Sequence, residues 1–165
     1  MRVAIVTVSD SSFDGGRRDE SGEVIREWCT DRGYTVASRE QVPDETSRIV
    51  HRLASLCDED AVDLVLTTGG TGLSPRDVTP EATRVVVERE AEGIAEYLRA
   101  ATWGEFPRAA LSRGVAGIRG RTLVINLPGS PRGVSDTLGV LERVVEHAVD
   151  VMTGIVTRHD REPAK

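Results

Sequence analysis

Two glycine-containing segments hold groups that could bind an anion. They are TTGGTG at residues 67–72 and LPGSP at residues 127–131, and each begins at or just beyond the end of an apolar run. Adjacent glycines let backbone N–H groups approach a ligand closely, and nearby hydroxyls add further donors. The candidate binding residues in these segments are Thr68, Gly69, Gly70, Thr71, Gly72, Ser74, Pro128, Gly129, Ser130 and Pro131. The alternative is that each segment is only a turn, since neither matches a P-loop or a GxGxxG fingerprint.

Two aspartates follow the same kind of strand end. Asp77 lies five residues beyond Gly72, and Asp44 follows the second predicted strand. A carboxylate about 4 Å from a phosphate charge is repelled by about 4 kcal/mol at an effective dielectric near 20. A divalent cation reverses that sign, and Mg²⁺ is the expected ion because it prefers carboxylate and phosphate oxygens. Alternatively, Asp44 caps the following helix and Asp77 belongs to a turn.

The composition excludes several other kinds of chemistry. The sequence has 20 arginines and one lysine, Lys165, so no internal lysine can serve as a P-loop cation, Schiff base or general base. Cys29 and Cys57 show no CxxC spacing, which favours two reduced thiols. No histidine accompanies a cysteine or carboxylate at ligand spacing, and no GxSxG occurs. The remaining chemistry is metal-assisted phosphoryl or nucleotidyl transfer.

The pattern along the chain predicts strands alternating with helices. Strands are expected at residues 2–9, 34–42, 64–66 and 122–127, with a short strand before the last one, and helices at 23–32, 43–60, 80–90, 92–101 and 131–151. This order predicts a doubly wound α/β domain with a mostly parallel sheet and helices on both faces. Ligands bind such sheets beyond the carboxyl ends of the strands, where Ser9-Asp10, residues 68–77 and residues 128–132 would meet. Asp10 could equally cap the turn after the first strand.

Length and charge set the remaining expectations. The 165 residues favour one domain, residues 1–154, followed by a flexible polar tail, residues 155–165. The net charge of −6 argues against a nucleic-acid partner. The first apolar run is too short for a signal peptide and no segment approaches a membrane span, so we expect a cytoplasmic protein without membrane contact.

Taken together, the motifs resemble one family. TTGGTG, RDVTPEA and ALSRGVAGIRGRTLVINLPGSP, with the earlier TVSD and DESG, are similar to the MogA/MoaB group of molybdenum cofactor biosynthesis proteins. The resemblance covers residues 3–153. It implies a doubly wound α/β domain that is commonly trimeric.

The resemblance also implies an activity. Members of the MogA branch adenylate molybdopterin: its terminal phosphate attacks the α-phosphate of ATP, pyrophosphate leaves, and Mg²⁺ is required. Asp44 and Asp77 match the family's catalytic aspartates, and Ser112 of the LSR element maps near the pocket. Two alternatives stay open: a MoaB-type protein that binds or carries molybdopterin without adenylating it, or a related nucleotide-cleaving enzyme. A molybdenum insertase, which acts later in the pathway, is a possible recipient of the product.

Overall fold

The computed structural model describes residues 1–13, 15–16, 18–59, 61–104 and 106–155. The strands are β1 Arg2–Val8, β2 Thr35–Val42, β3 Leu64–Thr68, β4 Arg89–Glu90, β5 Ala116–Arg119 and β6 Thr122–Leu127. The helices are α1 Asp10–Phe13, α2 Glu20–Asp31, α3 Thr46–Asp58, α4 Thr79–Val86, α5 Glu92–Trp103, α6 Pro131–Leu141 and α7 Val145–Thr153, and a 3₁₀ helix spans Pro107–Leu111. Residues 156–165 of the predicted tail lie outside the described residues.

The strands form one sheet in the order β2-β1-β3-β6-β5-β4. β2, β1, β3 and β6 are parallel, whereas β5 is antiparallel to both of its neighbours. The central strands β3 and β6 are buried along their whole length, as expected for strands covered on both faces. This sheet confirms the predicted α/β class, and the carboxyl ends of four parallel strands share one edge.

Helices cover both faces of the sheet and bury two aliphatic cores. On one face, α2, α5, α6 and α7 pack on side chains such as Ile5, Leu66 and Ile125. On the other face, α3 and α4 pack on Ala4, Val6 and neighbouring side chains. Residues that alternate along β1 therefore enter opposite cores, as the two-residue period of a strand requires.

Two predicted helices differ from the structure. The helix predicted at 80–90 ends at Val86, because Arg89 and Glu90 pair with β5 as an edge strand. The helix predicted at 131–151 is two helices, separated by a turn in which Val144 N–H donates to Leu141 O at 3.0 Å. The turn buries both Leu141 and Val145 in one core, and no proline or glycine at residues 142–144 signals it.

No helix among the described residues is both long enough and apolar enough to cross a bilayer.

Candidate functional site

The two glycine-containing loops touch each other at the carboxyl edge of the sheet. β3 and β6 are neighbours and pair up to Thr68 and Leu127, so both loops start at the same level. The hydroxyl of Thr68 donates to Pro128 O at 2.6 Å. A Cβ on Gly129 would lie 3.2 Å from the Cα of Gly69, so the backbones approach closely. The sequence placed these loops on one edge, and the structure brings them into contact.

The first loop needs glycine at two consecutive positions. Gly69 has φ +95° and Gly70 has φ +62°, both in the left-handed region that glycine adopts without strain. A Cβ on Gly69 would lie 2.2 Å from Val8 O, and one on Gly70 would lie 2.4 Å from the Thr79 hydroxyl. Thr79 then secures the loop, because its hydroxyl donates to Gly69 O at 2.9 Å and its N–H donates to Gly70 O at 3.1 Å.

Thr79 stabilises the loop and does not cap the helix that follows it. Thr79-Pro80 is typical of an N-cap followed by proline at the first helical position, but the residue before the helix is Val78. Thr79 is the first residue of α4 and is completely buried. Its hydroxyl donates to a carbonyl of the glycine loop and does not cap α4. The sequence pattern alone does not distinguish between these two roles.

Asp10 and Asp44 join the ends of β1 and β2 through a reciprocal pair of hydrogen bonds. The N–H of Asp10 donates to Asp44 Oδ2, and the N–H of Asp44 donates to Asp10 Oδ1, each at 2.9 Å. The capping alternative for Asp44 does not hold, because the residue before α3 is Glu45 and it makes no side-chain cap. Asp44 thus lies in a loop that faces the glycine segment, 34 residues from its partner in sequence.

The carboxylates of Asp44 and Asp77 flank the glycine loop. A Cβ on Gly70 would lie 3.1 Å from Asp44 Oδ1, and one on Gly72 would lie 2.9 Å from Asp77 Oδ2. Asp77 Oδ2 also accepts the N–H of Ser74 at 2.8 Å, so its turn role exists alongside its place at the loop. The glycines thus leave room for two carboxylates as well as for a ligand.

Negative charge is concentrated here. Burial raises the pKa of Asp44, and the nearby carboxylates of Asp10 and Asp77 act in the same direction, against the N–H of Asp10. The N–H of Asp44 and the guanidinium of Arg76, which lies 2.5 Å from Asp10 Oδ2, lower the pKa of Asp10. A cation placed between the carboxylates and an anionic ligand would relieve the repulsion.

The residues present fit a magnesium ion of the kind that substrate phosphates help to bind. No group of three or more His, Cys, Asp or Glu side chains within the described part of the chain is arranged to hold a metal alone. Mg²⁺ is usually bound by one or two carboxylates together with phosphate oxygens and water. Asp44 and Asp77 supply two carboxylates at the loop that would hold the phosphates.

A cleft of about 240 Å³ opens at this edge of the sheet. The predicted residues that line it are Ser9, Asp44, Thr68, Gly69, Gly70, Asp77, Gly129 and Pro131. The predicted residues outside its lining are Asp10, Thr71, Gly72, Ser74, Ser112, Pro128 and Ser130. Asp10 still reaches the cleft indirectly, through its two hydrogen bonds to Asp44.

Several predicted hydroxyl donors are already engaged within the protein. The Thr68 hydroxyl is used on Pro128, as described above. The Ser130 hydroxyl accepts the N–H of Gly133 and caps α6. Ser112 lies beside a separate small cavity with Asn126 and Pro128, where its hydroxyl accepts the N–H of Gly114 at 3.3 Å. Only the Thr68 hydroxyl has its proton committed by these bonds, because Ser130 and Ser112 act as acceptors, and neither serine lines the cleft.

Sequence reasoning missed the side of the cleft formed by the start of α2. The cleft is lined here by Arg18, Asp19 and Ser21, and beside them by Thr7 of β1. The Ser21 hydroxyl donates to Gly129 O at 2.8 Å. The Thr7 hydroxyl is buried and has no hydrogen-bond partner among the described residues. The DESG element marks this helix start, but only the fold shows that it faces the second loop.

Asp19 is the most buried acid of the cleft, with 6% of its surface exposed. Its Oδ1 accepts the N–H of Gly22 at 2.8 Å, and its Oδ2 lies 3.0 Å from Arg39 Nη2. Arg39 also pairs with Glu23. Because its charge is already paired, Asp19 adds less repulsion to the cleft than Asp44 and Asp77 do.

The fold and the cleft define a doubly wound α/β protein with an anion site at the carboxyl edge of its sheet. Residues 4–147 match the family described as probable molybdopterin binding domain. The chain belongs to that family, which confirms the resemblance to the MogA/MoaB group.

Named relatives agree with this assignment. The molybdopterin adenylyltransferase of Escherichia coli K12 is 40% identical over 155 residues, which span 90% of this chain and 80% of that protein. The Drosophila melanogaster molybdenum cofactor synthesis protein cinnamon is 38% identical, and the match spans 90% of this chain but 25% of that protein. The structure of the molybdopterin biosynthesis enzyme MoaB from Thermus thermophilus has a TM-score of 0.88 and 50% identity, covering 93% of this chain and 96% of that one.

Proposed function

We propose that this chain is a molybdopterin adenylyltransferase that transfers AMP from ATP to the terminal phosphate of molybdopterin. An oxygen of that phosphate forms a bond to the α-phosphorus of ATP, the bond to the bridging oxygen breaks, and pyrophosphate leaves. The main support is the contact between the two glycine-containing loops, with Asp44 and Asp77 flanking the first of them. The E. coli relative bears the name of this activity.

Each group at the cleft has a role in this reaction. The glycine loop and the second loop orient the phosphates through backbone N–H groups. Asp44 and Asp77 would hold Mg²⁺, and the ion would supply positive charge beside the departing pyrophosphate. The attacking phosphate is already ionised at neutral pH, so the reaction needs no strong general base. That agrees with a cleft that has no histidine in its lining among the residues that the structure describes.

A direct test is to incubate the purified protein with molybdopterin, ATP and Mg²⁺ and to follow the products by mass spectrometry. We expect adenylylated molybdopterin and an equal amount of pyrophosphate, both of which disappear when Mg²⁺ is chelated. Pyrophosphate release without molybdopterin would instead indicate a nucleotide-cleaving enzyme.

A second candidate function is binding or carriage of molybdopterin without adenylyl transfer. The structure at 50% identity bears the name molybdopterin biosynthesis enzyme MoaB, which does not specify adenylyl transfer, whereas the E. coli protein at 40% identity bears the name of that activity. The discriminating measurement compares molybdopterin binding with product formation in the same preparation. Tight binding without any adenylylated product would support the carrier function.

The proposal also includes a cytoplasmic homotrimer that hands its product to the molybdenum insertase. Large apolar side chains on α5 and around the 3₁₀ helix are at least one-third exposed, namely Tyr97, Trp103, Phe106 and Leu111. Such exposure is typical of a surface that another chain covers. Analytical ultracentrifugation tests the trimer: a single species at the monomer mass across micromolar concentrations would contradict it.

A further inference from the structure

Arg113 connects the segment before β5 to the far side of the glycine loop. Its N–H donates to Thr71 O at 2.8 Å, and its Nε donates to Gly72 O at 2.7 Å. Its Nη2 donates to Asp77 O at 2.5 Å, and its Nη1 forms an ion pair with Glu81. One residue thus contacts four positions that lie more than thirty positions earlier in the chain.

The two carbonyls that the guanidinium reaches are at the ends of the turn formed by residues 72–77. Hydrogen bonds inside the turn, between Ser74 and Asp77, set its shape but not its place relative to the cleft. Among the described residues, the hydrogen bonds that reach the turn's backbone from outside all come from Arg113. The side chain of Arg76, which belongs to the turn, also forms an exposed ion pair with Asp10.

We propose that Arg113 is a positioning residue that fixes the Asp77 carboxylate at the cleft through the carbonyls of Gly72 and Asp77. In its effect on turnover, this inference rests on the proposed function. The geometry needs a planar group with separate donors, because two carbonyls and one carboxylate are contacted at once. Lysine supplies the same charge from one nitrogen and cannot reach all three acceptors. The prediction is therefore that charge alone does not replace the guanidinium.

A matched control exists at the opposite end of the sheet. Arg119 also bonds a carbonyl, that of Val86 at 3.1 Å, and a carboxylate, that of Asp58 at 2.7 Å. The two arginine side chains are similarly exposed, at 34% for Arg113 and 29% for Arg119. A general loss of stability should lower the activity of both Arg113→Lys and Arg119→Lys. Misplacement of Asp77 should lower the activity of Arg113→Lys alone.

The first experiment compares steady-state kinetics of Arg113→Lys and Arg119→Lys with the unmodified protein. We expect kcat to fall about 100-fold in Arg113→Lys, since a displacement near 1 Å can cost that much. The KM for molybdopterin should change less than about threefold, because the rest of the cleft is retained. Arg119→Lys and Glu81→Gln should keep kcat within about threefold. A kcat for Arg113→Lys within that same range would overturn the proposal.

Chemical rescue separates positioning from folding. In Arg113→Ala, added guanidinium ion at tens of millimolar should restore part of kcat, because it can occupy the vacated site beside the two carbonyls. Arg119→Ala should show no such gain. Equal responses of the two variants, or no response of Arg113→Ala while its thermal midpoint matches that of Arg119→Ala, would contradict the role.

A measurement that does not depend on catalysis distinguishes failure of this inference from failure of the proposed function. Amide hydrogen exchange should accelerate at the hydrogen-bonded amides of Ser74, Arg76 and Asp77 in Arg113→Lys and stay unchanged there in Arg119→Lys. If the unmodified protein forms no adenylylated molybdopterin, the adenylyltransferase proposal fails. The hydrogen-exchange measurement still tests whether Arg113 positions the turn. If exchange at residues 72–77 is unaltered, the positioning role is wrong whatever the protein catalyses.

Discussion

The two ends of the parallel sheet contain the same residue types, aspartate and arginine, in opposite electrostatic arrangements. At the amino end, Asp58 receives two bonds from the guanidinium of Arg119, at 2.9 and 2.7 Å. There the arginine neutralises its carboxylate partner within a tight two-bond pair.

At the carboxyl end, the side chains of Asp10, Asp44 and Asp77 lie near the guanidinium of Arg76, which pairs with Asp10. Asp44 and Asp77 accept backbone N–H groups instead of guanidinium groups. Acidic residues alone therefore do not define the site. A site arises where the carboxylates are left without full charge compensation beside a loop that only glycine can form.

The largest expected effect comes from removing one charge at each end. Asp77→Asn should lower the Mg²⁺-dependent rate of adenylyl transfer by about 100-fold or more. The variant loses a carboxylate that would hold the metal ion, and negative charge in the transition state is then less stabilised. Molybdopterin binding should remain largely intact. Asp58→Asn serves as the matched control and should catalyse adenylyl transfer at the rate of the unmodified protein. Turnover of Asp77→Asn equal to that of Asp58→Asn would remove the distinction between the two ends.

Adding one methyl group to a glycine at each end should have the next largest effect. Gly69→Ala should cost about 3 kcal/mol or more of unfolding free energy, because strain at positive φ adds to the clash with Val8 O. Gly33, at the junction of α2 and β2, has φ +70° and open space around it. Gly33→Ala should therefore cost about 1 kcal/mol. Urea unfolding measures both values, and equal losses would show that Gly69 is not sterically special.

Removing a buried polar group should have a smaller effect, which again differs between the ends. Near the carboxyl end, the amide of Asn126 donates to Thr67 and Thr83 at 2.9 Å each and accepts the N–H of Val115 at 3.1 Å. Asn126→Ala should cost about 2–3 kcal/mol, since it leaves buried groups unpaired.

At the amino end, the Thr122 hydroxyl donates to Val62 O at 2.7 Å. Thr122→Val should cost about 1 kcal/mol. Thermal unfolding would compare the two variants. A Thr122→Val loss larger than that of Asn126→Ala would mean that the buried network adds little.

The smallest expected effect concerns the two thiols. Burial raises the pKa of Cys29 and of Cys57 to about 11, because the thiolate loses solvation. Both thiols should therefore stay protonated at pH 8 and react slowly with Ellman's reagent in the folded protein. Reaction should accelerate as the pH approaches 11 and on unfolding in urea. Rapid modification of the native protein at pH 7 would indicate an exposed or activated thiol.

Much of the fold followed from local pattern. The apolar pattern at residues 2–9 and the glycine after residue 68 predicted a buried strand and its loop, and both are present, with the strand ending at Val8. The two-residue strand β4 gave no signal, because Arg89 and Glu90 are exposed and pair only through their backbone. The break between α6 and α7 was also missed, since packing against the core sets it.

The sequence by itself determined the α/β class, the glycine loop and the lack of any internal lysine, because these depend on residue type and local order. Three contacts depend on the folded arrangement: Asp10 and Asp44 bond each other, the Thr68 hydroxyl donates to Pro128 O, and Arg113 donates to Asp77 O at the end of the turn. These contacts join residues 34, 60 and 36 positions apart. Spacing along a chain does not specify which side chains of separate loops meet once the sheet aligns the strand ends.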